Sequence, residues 1–238
     1  ATTIVWLVVI TTAFMVLGIL WLPAAAPRAE APPPRAPLMS LLKNRVFLLF
    51  IAATTLIHAS HGVFYGFSTL HWTAAGHDKA TIGLLWAEGV LVEVLLFAFG
   101  ARFVQRVGPV RLIVLGSTAA VVRWVVMGLT TDLVPLALVQ VLHAGSFAAV
   151  HLGAMLFISR GIADSHANSA QAAFSGIAYG AGIGFGLLIA GWLYDVMGGG
   201  AYMVQAVLAA GGIMFAIALG RAWQGQVLMA ADQGTAAR

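Results

Sequence analysis

The chain predicts an all-α polytopic membrane protein with seven spans. Of its 238 residues, 61% are hydrophobic and only 8% charged, and its mean hydropathy is +0.96; a soluble domain carries about 25% charged residues. Apolar runs of about twenty residues recur along the whole sequence, the length a helix needs to cross the hydrocarbon core. Its basic residues gather at alternate connections between those runs, as the positive-inside rule requires of a membrane protein.

The first span is read over Thr3–Leu22 and stops at Pro23. Ala24, Ala25 and Ala26 outline a cleavage site, but no basic segment precedes the run and basic residues follow it, which favours a retained helix over a signal peptide. Beginning at Ala1 in apolar sequence without an initiator Met, the chain reads as a fragment. Residues 23–45 combine Pro and Ala with Arg28, Arg35, Lys43 and Arg45; such a composition builds no core and reads as a flexible cytosolic linker. The second span is Val46–Leu70, and His71–Lys79 is a polar loop turning at Gly76 and Asp78. The third span is Ala80–Ala101, followed by the short basic loop Arg102–Arg111. The fourth, Leu112–Thr130, closes on Thr131 and Asp132. The fifth, Leu133–Ser159, is interrupted by Gly145 and Gly153. Arg160–Asn168 is polar, Ser169–Tyr194 is a Gly-rich sixth span, Asp195–Gly200 a turn, and Ala201–Leu219 the seventh span. The expected organisation is a transmembrane helix over 1–22, a linker over 23–45, a six-helix bundle over 46–222 and a cytosolic tail over 223–238.

Charge fixes the expected orientation. Arg28, Arg35, Lys43, Arg45, Arg102, Arg106, Arg111, Arg160, Arg221 and Arg238 fall on one side, Lys79 on the other, and Arg123 inside a span. The linker, the 102–111 and 160–168 loops and the C-terminus are therefore expected in the cytosol, in a multi-pass protein of the bacterial inner membrane. A net charge of +4 and a pI near 10 would suit a nucleic-acid partner. Arginines confined to helix ends argue against one. Without cysteine, disulfide and thiolate chemistry are excluded.

The second span carries groups that hydrocarbon penalises. At about 100° per residue, His58, His61, Tyr65, Thr69 and Trp72 fall on one face about 80° wide. A polar stripe on a membrane helix needs something other than lipid opposite it, and a substrate cavity fits. His58-Ala59 with Phe64 on the second span is echoed by His143-Ala144 with Phe147 on the fifth. These spans open successive three-helix groups of opposite direction, as an inverted repeat would.

Further ionisable residues lie deep in spans: Glu88 and Glu93 on the third, Arg123 on the fourth, His143 on the fifth. Arg123, His58 and His143 stand about 15–18 Å from their span ends at about 1.5 Å per residue. An unpaired charge at that depth costs at least about 2.5–3.5 kcal/mol, so a partner or a wet cavity is required. Glu93 is the expected partner of Arg123 and Glu88 the second choice; five residues apart, the two acids point about 140° from each other. The pair serves either as a structural clasp or as a proton-coupling switch in which protonation of the acid releases Arg123. His143 shares its face with Gln140, Phe147 and His151, and an imidazole there can carry a proton or bind an acidic substrate. His151, nearer the cytosolic end, and the loop residues His71 and His77 read as structural or solvated. Gly176, Gly180, Gly182, Gly184, Gly186 and Gly191 provide spacings that allow close helix contact.

The loop GARFVQRVGPVR (100–111), with Gly100, Arg106, Gly108 and Arg111, resembles the short basic loop of the major facilitator superfamily; Gln105 stands where that loop has an acid. YGFSTLHWTAAGH (65–77), GLLWAEGVLVEV (83–94), VVRWVVMG (121–128) and VQVLHAGSF (139–147) resemble the phenylpropionic acid permease subfamily, distantly similar to lactose permease. The similarity covers roughly residues 45–200. It implies a major facilitator-type bundle, helices six to twelve of a twelve-helix proton symporter, whose missing amino-terminal half supplies the other cavity wall. It implies proton coupling through Glu93 or Glu88, Arg123 and His143. It also implies a small, aromatic organic acid as substrate, held among His58, His61, Tyr65, Trp72, Trp86, Gln140 and Phe147, with no cofactor and no enzymatic activity. The alternatives are a nucleoside or sugar carrier of the same superfamily and, from another class, a membrane cytochrome with His58 and His143 as haem ligands. Ser60 beside His61 and Ser146 beside His143 lack a nucleophile elbow, so a hydrolase is not expected.

Overall fold

Apolar helices account for nearly all of the residues that the computed structural model describes, which are 2–21 and 38–229. The chain divides into two units, Ala1–Pro34 and Arg35–Arg238. Within the first, α1 spans Thr2–Trp21, as its uninterrupted apolar composition predicts. Residues 22–37, which hold most of the expected linker over 23–45, lie outside the described residues.

The second unit starts before the expected bundle. Leu38–Leu42 forms a short helix, α2, and buries Leu41, so this end of the linker is folded rather than flexible. Helix α3, Arg45–Ala59, begins where the Asn44 side chain accepts from the amides of Val46 and Phe47 at 2.9 and 3.2 Å, closing two of the free donors of its first turn. The second span, expected to be one regular helix, is broken at Ser60 and His61 and resumes as α4, Gly62–Ala74. Two local features accompany the break. The Ser60 hydroxyl donates back to the carbonyl of Ile57 at 2.6 Å, a competition that bends helices. Gly62 also meets Gly186 so closely that a methyl group on either would collide with backbone, the Gly186 carbonyl in one case and that of Ala59 in the other.

Helix α5, Lys79–Phe99, is capped by Asp78. The expected 102–111 loop is itself partly helical, forming α6, Ala101–Val107. Gly108, at φ 82°, turns the chain into α7, Pro109–Leu129, whose proline stands in the first turn where its missing N–H costs nothing. The fifth span is interrupted around Gly145 but runs as regular helix through Gly153, where a second interruption was expected. It comprises α8, Leu133–Gln140, a π-helical turn over Ala144–Ala149, and α9, Val150–Gly161. The sixth begins earlier than expected, with α10 at Asp164–Ala173, then a π-helical stretch Phe174–Ile183 and α11, Gly184–Met197. A 3-10 turn at Gly198–Gly200 leads into α12, Ala201–Ala222.

Five helical stretches among the described residues are long and apolar enough to cross a membrane: Arg45–Ala74, Lys79–Phe99, Pro109–Leu129, Leu133–Gly161 and Asp164–Ala222. The last holds 59 residues, about 88 Å of helix, and the turn at Gly198–Gly200 divides it into two lengths that each suffice.

Of the expected tail, residues 223–229 are described and pack on the bundle. Ile162 and Leu228 pair as an isolated bridge, and Trp223 lies against Gly161. The apolar core falls into two main parts. One, at the arginine-bearing end, stacks Phe50 on Phe157 at 4.5 Å and on Phe174 at 5.9 Å. The other gathers Phe64, Trp72, Trp124 and Tyr202. Between Ile57 of the first and Val63 of the second lie the buried side chains of His58, Ser60 and His61.

Candidate functional site

Arg123 on α7 is 0% exposed, so all its hydrogen bonds must come from protein. One terminal nitrogen lies 3.0 Å from His143 Nδ1 and donates to Ser146 Oγ at 2.8 Å. The other donates to Gln140 Oε1 at 2.8 Å. The guanidinium carbon sits 4.7 Å from the Phe64 ring centre and 4.6 Å from that of Trp124, close enough for cation–π attraction. Gln140, His143 and Ser146 reach one group because the segment carrying them is not a regular helix: α8 ends at Gln140, and the wider π turn starts at Ala144. A Cβ at Gly116 of α7 would strike Val150 and the Gly145 carbonyl, so a glycine there is what lets this turn approach α7.

The expected direct Arg123–Glu93 pair is not formed. His143 stands between them, with Nε2 3.4 Å from Glu93 Oε2. Arginine only donates, so His143 Nδ1 accepts, and the proton of the neutral ring sits on Nε2, facing Glu93. The result is a chain of Glu93, His143 and Arg123 in which the imidazole separates carboxylate from cation. Among the described residues no carboxylate lies within ion-pair distance of Arg123 itself. Glu88, the other acid considered, stands half-buried in a separate groove of about 690 Å³ between α5 and α8, with Leu84, Leu91, Leu133 and Ala137.

His58 and His61 are held in the opposite tautomer. His58 Nδ1 is 2.6 Å from the Thr54 carbonyl and His61 Nδ1 is 2.9 Å from that of Ile57. Carbonyls only accept, so both Nδ1 atoms carry protons and both Nε2 atoms are lone pairs, buried and without a partner. The His58 ring lies 4.1 Å from that of Tyr179, and the His61 ring 6.2 Å from that of His143. Tyr179 in turn bonds His151 at 3.1 Å through its hydroxyl.

Tyr65, Trp86, Glu93 and Phe147 are half-buried and form the accessible edge of this cluster. Tyr65 lies nearly parallel to Trp86 at 6.2 Å, Phe64 packs on Trp86 at 4.5 Å, and the Trp86 indole donates to Thr69 at 3.1 Å. Trp72, expected among the residues holding the substrate, is instead 0% exposed in the core beside Phe64, at 6.4 Å. The loop motif is placed as a turn: Gly100 closes α5, Gly108 separates α6 from α7, and Arg106 and Arg111 are exposed. Gln105, in the position of the usual acid, accepts from Arg160.

A family model described as "MFS_1 like family" matches residues 2–204. The chain belongs to the MFS_1 like family. That family is one of major facilitator transporters, not of enzymes, and an integral multi-pass membrane protein follows from it together with the apolar helices. Over 160 residues the chain is 37% identical to the "Probable 3-phenylpropionic acid transporter" of Escherichia coli (strain K12), a match covering 67% of this chain and 42% of that protein. The chain thus spans less than half the length of this curated relative.

For this family member, sequence reasoning missed several residues of the cluster. Trp124 adjoins Arg123 in sequence and donates its indole N–H to Ser60 at 3.1 Å. Ser146 lies one turn beyond His143, a spacing that could have marked it as a partner. Tyr179 sits in a Gly-rich run that read as packing alone. His71 and His77, taken as solvated, tie elements together: His71 bonds the Tyr194 hydroxyl at 3.1 Å and His77 Nε2 the Thr131 carbonyl at 2.6 Å.

Proposed function

We propose that this chain is the carboxy-terminal bundle of a proton-coupled symporter for a small aromatic carboxylic acid, working by alternating access in a bacterial inner membrane. An amino-terminal half supplies the facing wall, and the C-terminus lies in the cytosol. The observation that carries the reading is the Glu93–His143–Arg123 chain: a buried cation whose nearest carboxylate stands one imidazole away, at the accessible edge.

The chemistry follows from charge balance. With Glu93 ionised, its charge and that of Arg123 offset each other. Across the imidazole they are about 8 Å apart, where two unit charges attract by about 2 kcal/mol at an effective dielectric of 20. Protonation of Glu93 removes that attraction and leaves Arg123 without a counter-charge. A substrate carboxylate arriving at the edge then takes over, receiving the Nε2–H of His143, which Arg123 polarises from behind. Proton and anion thus enter together, and neither is stable in the site alone. Tyr65, Trp86 and Phe147 offer ring faces to an aromatic substrate at the same edge. The printed name of the Escherichia coli relative supports a substrate of that kind. A haem-binding role draws no support, since both nitrogens of His143 are engaged.

Proteoliposomes containing the full-length protein test the reading. Acidifying the outside should drive uptake of 3-phenylpropionate above its equilibrium level. Uptake that ignores the pH gradient removes the proton coupling. A nucleoside or sugar taken up in place of the acid removes the substrate assignment.

A further inference from the structure

At the arginine-bearing end, α6 and the first turns of α7 enclose a crevice of about 460 Å³ lined by Arg106, Val107, Val110, Arg111, Val114 and Leu115. Its walls are branched aliphatic side chains and its polar groups are two arginines. Arg106 and Arg111 are exposed, and among the described residues neither has a carboxylate within ion-pair distance. The one acid-like position of the loop, Gln105, is neutral and bonds Arg160. Arg111 and Leu115 are one helical turn apart, so the crevice runs about 6 Å along α7 from a cationic mouth toward the apolar middle of the helix. A second crevice of about 360 Å³ shares Val107, Val110 and Arg111 and is bordered by Trp223, a residue type that settles at the membrane–water boundary.

We propose that this crevice binds an anionic phospholipid, with the phosphate between Arg106 and Arg111 and the start of one acyl chain along Val110, Val114 and Leu115. Uncompensated arginines at the rim of an apolar slot match that amphiphile at both ends. A zwitterionic lipid brings its own cation and gains less from the pair. Free phosphate makes no use of the aliphatic walls. The assignment does not depend on which substrate the transporter carries or on whether protons drive it.

Native mass spectrometry of the full-length protein in detergent, titrated with phosphatidylglycerol, phosphatidylcholine and inorganic phosphate, tests this. Phosphatidylglycerol should bind most tightly, and its affinity should fall as salt is raised. R106Q and R111Q should each weaken it about fivefold and together about 25-fold, leaving phosphatidylcholine unaffected. Arg102→Gln, outside the crevice, should change it less than either. Equal affinity for the two lipids overturns the proposal, as does a wild-type dissociation constant that ignores salt, a measurement needing no variant. Phosphate displacing the lipid at equal concentration would reduce the crevice to an ion site.

Discussion

The two walls of the polar cluster hold their histidines in opposite ways. At and just beyond the end of α3, His58 and His61 are each tied by Nδ1 to an α3 carbonyl four residues earlier and leave Nε2 unpartnered. On the facing segment, His143 spends both nitrogens on other helices, Nδ1 on Arg123 of α7 and Nε2 on Glu93 of α5. The first arrangement fixes a ring against the preceding turn of its own span, with its hydrogen bond spent on that backbone. The second joins three helices through one imidazole. A change of charge at Glu93 therefore reaches hydrogen bonds between helices, whereas a change at His58 or His61 reaches other elements only through ring contacts. Burial alone does not distinguish them, because all three imidazoles are buried.

Removing the hub should break the second wall and leave the first. Arg123→Ala strips Gln140, His143 and Ser146 of their shared donor inside the core, and buried groups left unpaired cost about 1–3 kcal/mol each. Uptake should fall at least about 100-fold, and thermal stability should drop with it. Arg123→Lys keeps the charge but not the planar fork, so it should recover stability before transport. Wild-type uptake by Arg123→Ala would take the residue out of the mechanism.

Glu93 and Glu88 sharpen the comparison within one helix. Glu93→Gln keeps a group of similar size near His143 while making the site permanently neutral at that position. Exchange of labelled for unlabelled substrate should persist, while accumulation driven by a pH gradient should be lost. Glu88→Gln, in its separate groove, should stay within about twofold of wild type in both assays. The reverse result would move the coupling carboxylate to the α5–α8 groove.

His58→Gln and His61→Gln should cost less than His143→Gln. Each removes a ring whose hydrogen bond lies within its own span, and the glutamine amide can still donate to the same carbonyl. A threefold to tenfold loss of uptake is expected for either, against at least about 50-fold for His143→Gln, on the usual scale for lost polar contacts. Three equal losses would dissolve the distinction between the walls.

Much of this was legible in the sequence because hydrocarbon makes polar residues conspicuous. Arg123, His143 and Glu93 stood out in apolar runs and do meet. What periodicity could not give was the order of the chain, with His143 between the charges, since that depends on how α5, α7 and the π turn tilt together. The π turn was equally invisible: an inserted residue changes which side chains share a face without changing composition. The break at Ser60 and His61 was hidden because the polar stripe keeps its helical period across it. Trp72 shows the converse error, a residue on the right stripe whose helix turns it into the core. Tyr179 went unnoticed because glycines around it explain themselves by packing.

The smallest expected effect lies outside both walls and serves as their control. Asp78 caps α5, the helix that carries Glu93, accepting from the Thr81 amide at 2.7 Å. That hydrogen bond holds its carboxyl below the usual carboxylate value. A depressed folded-state pKa contributes stability above the unfolded value of about 3.9 and loses it as pH falls through the folded one. Asp78→Ala should therefore lower the melting temperature slightly at pH 7 and not at all at strongly acid pH, while Asp78→Asn, which keeps an accepting oxygen, should lose less. Because this titration is confined to pH values below about 4, a response of uptake to pH between 5 and 8 does not arise at the start of α5. An Asp78→Ala variant whose uptake profile shifts across pH 5–8 would remove the cap as a control.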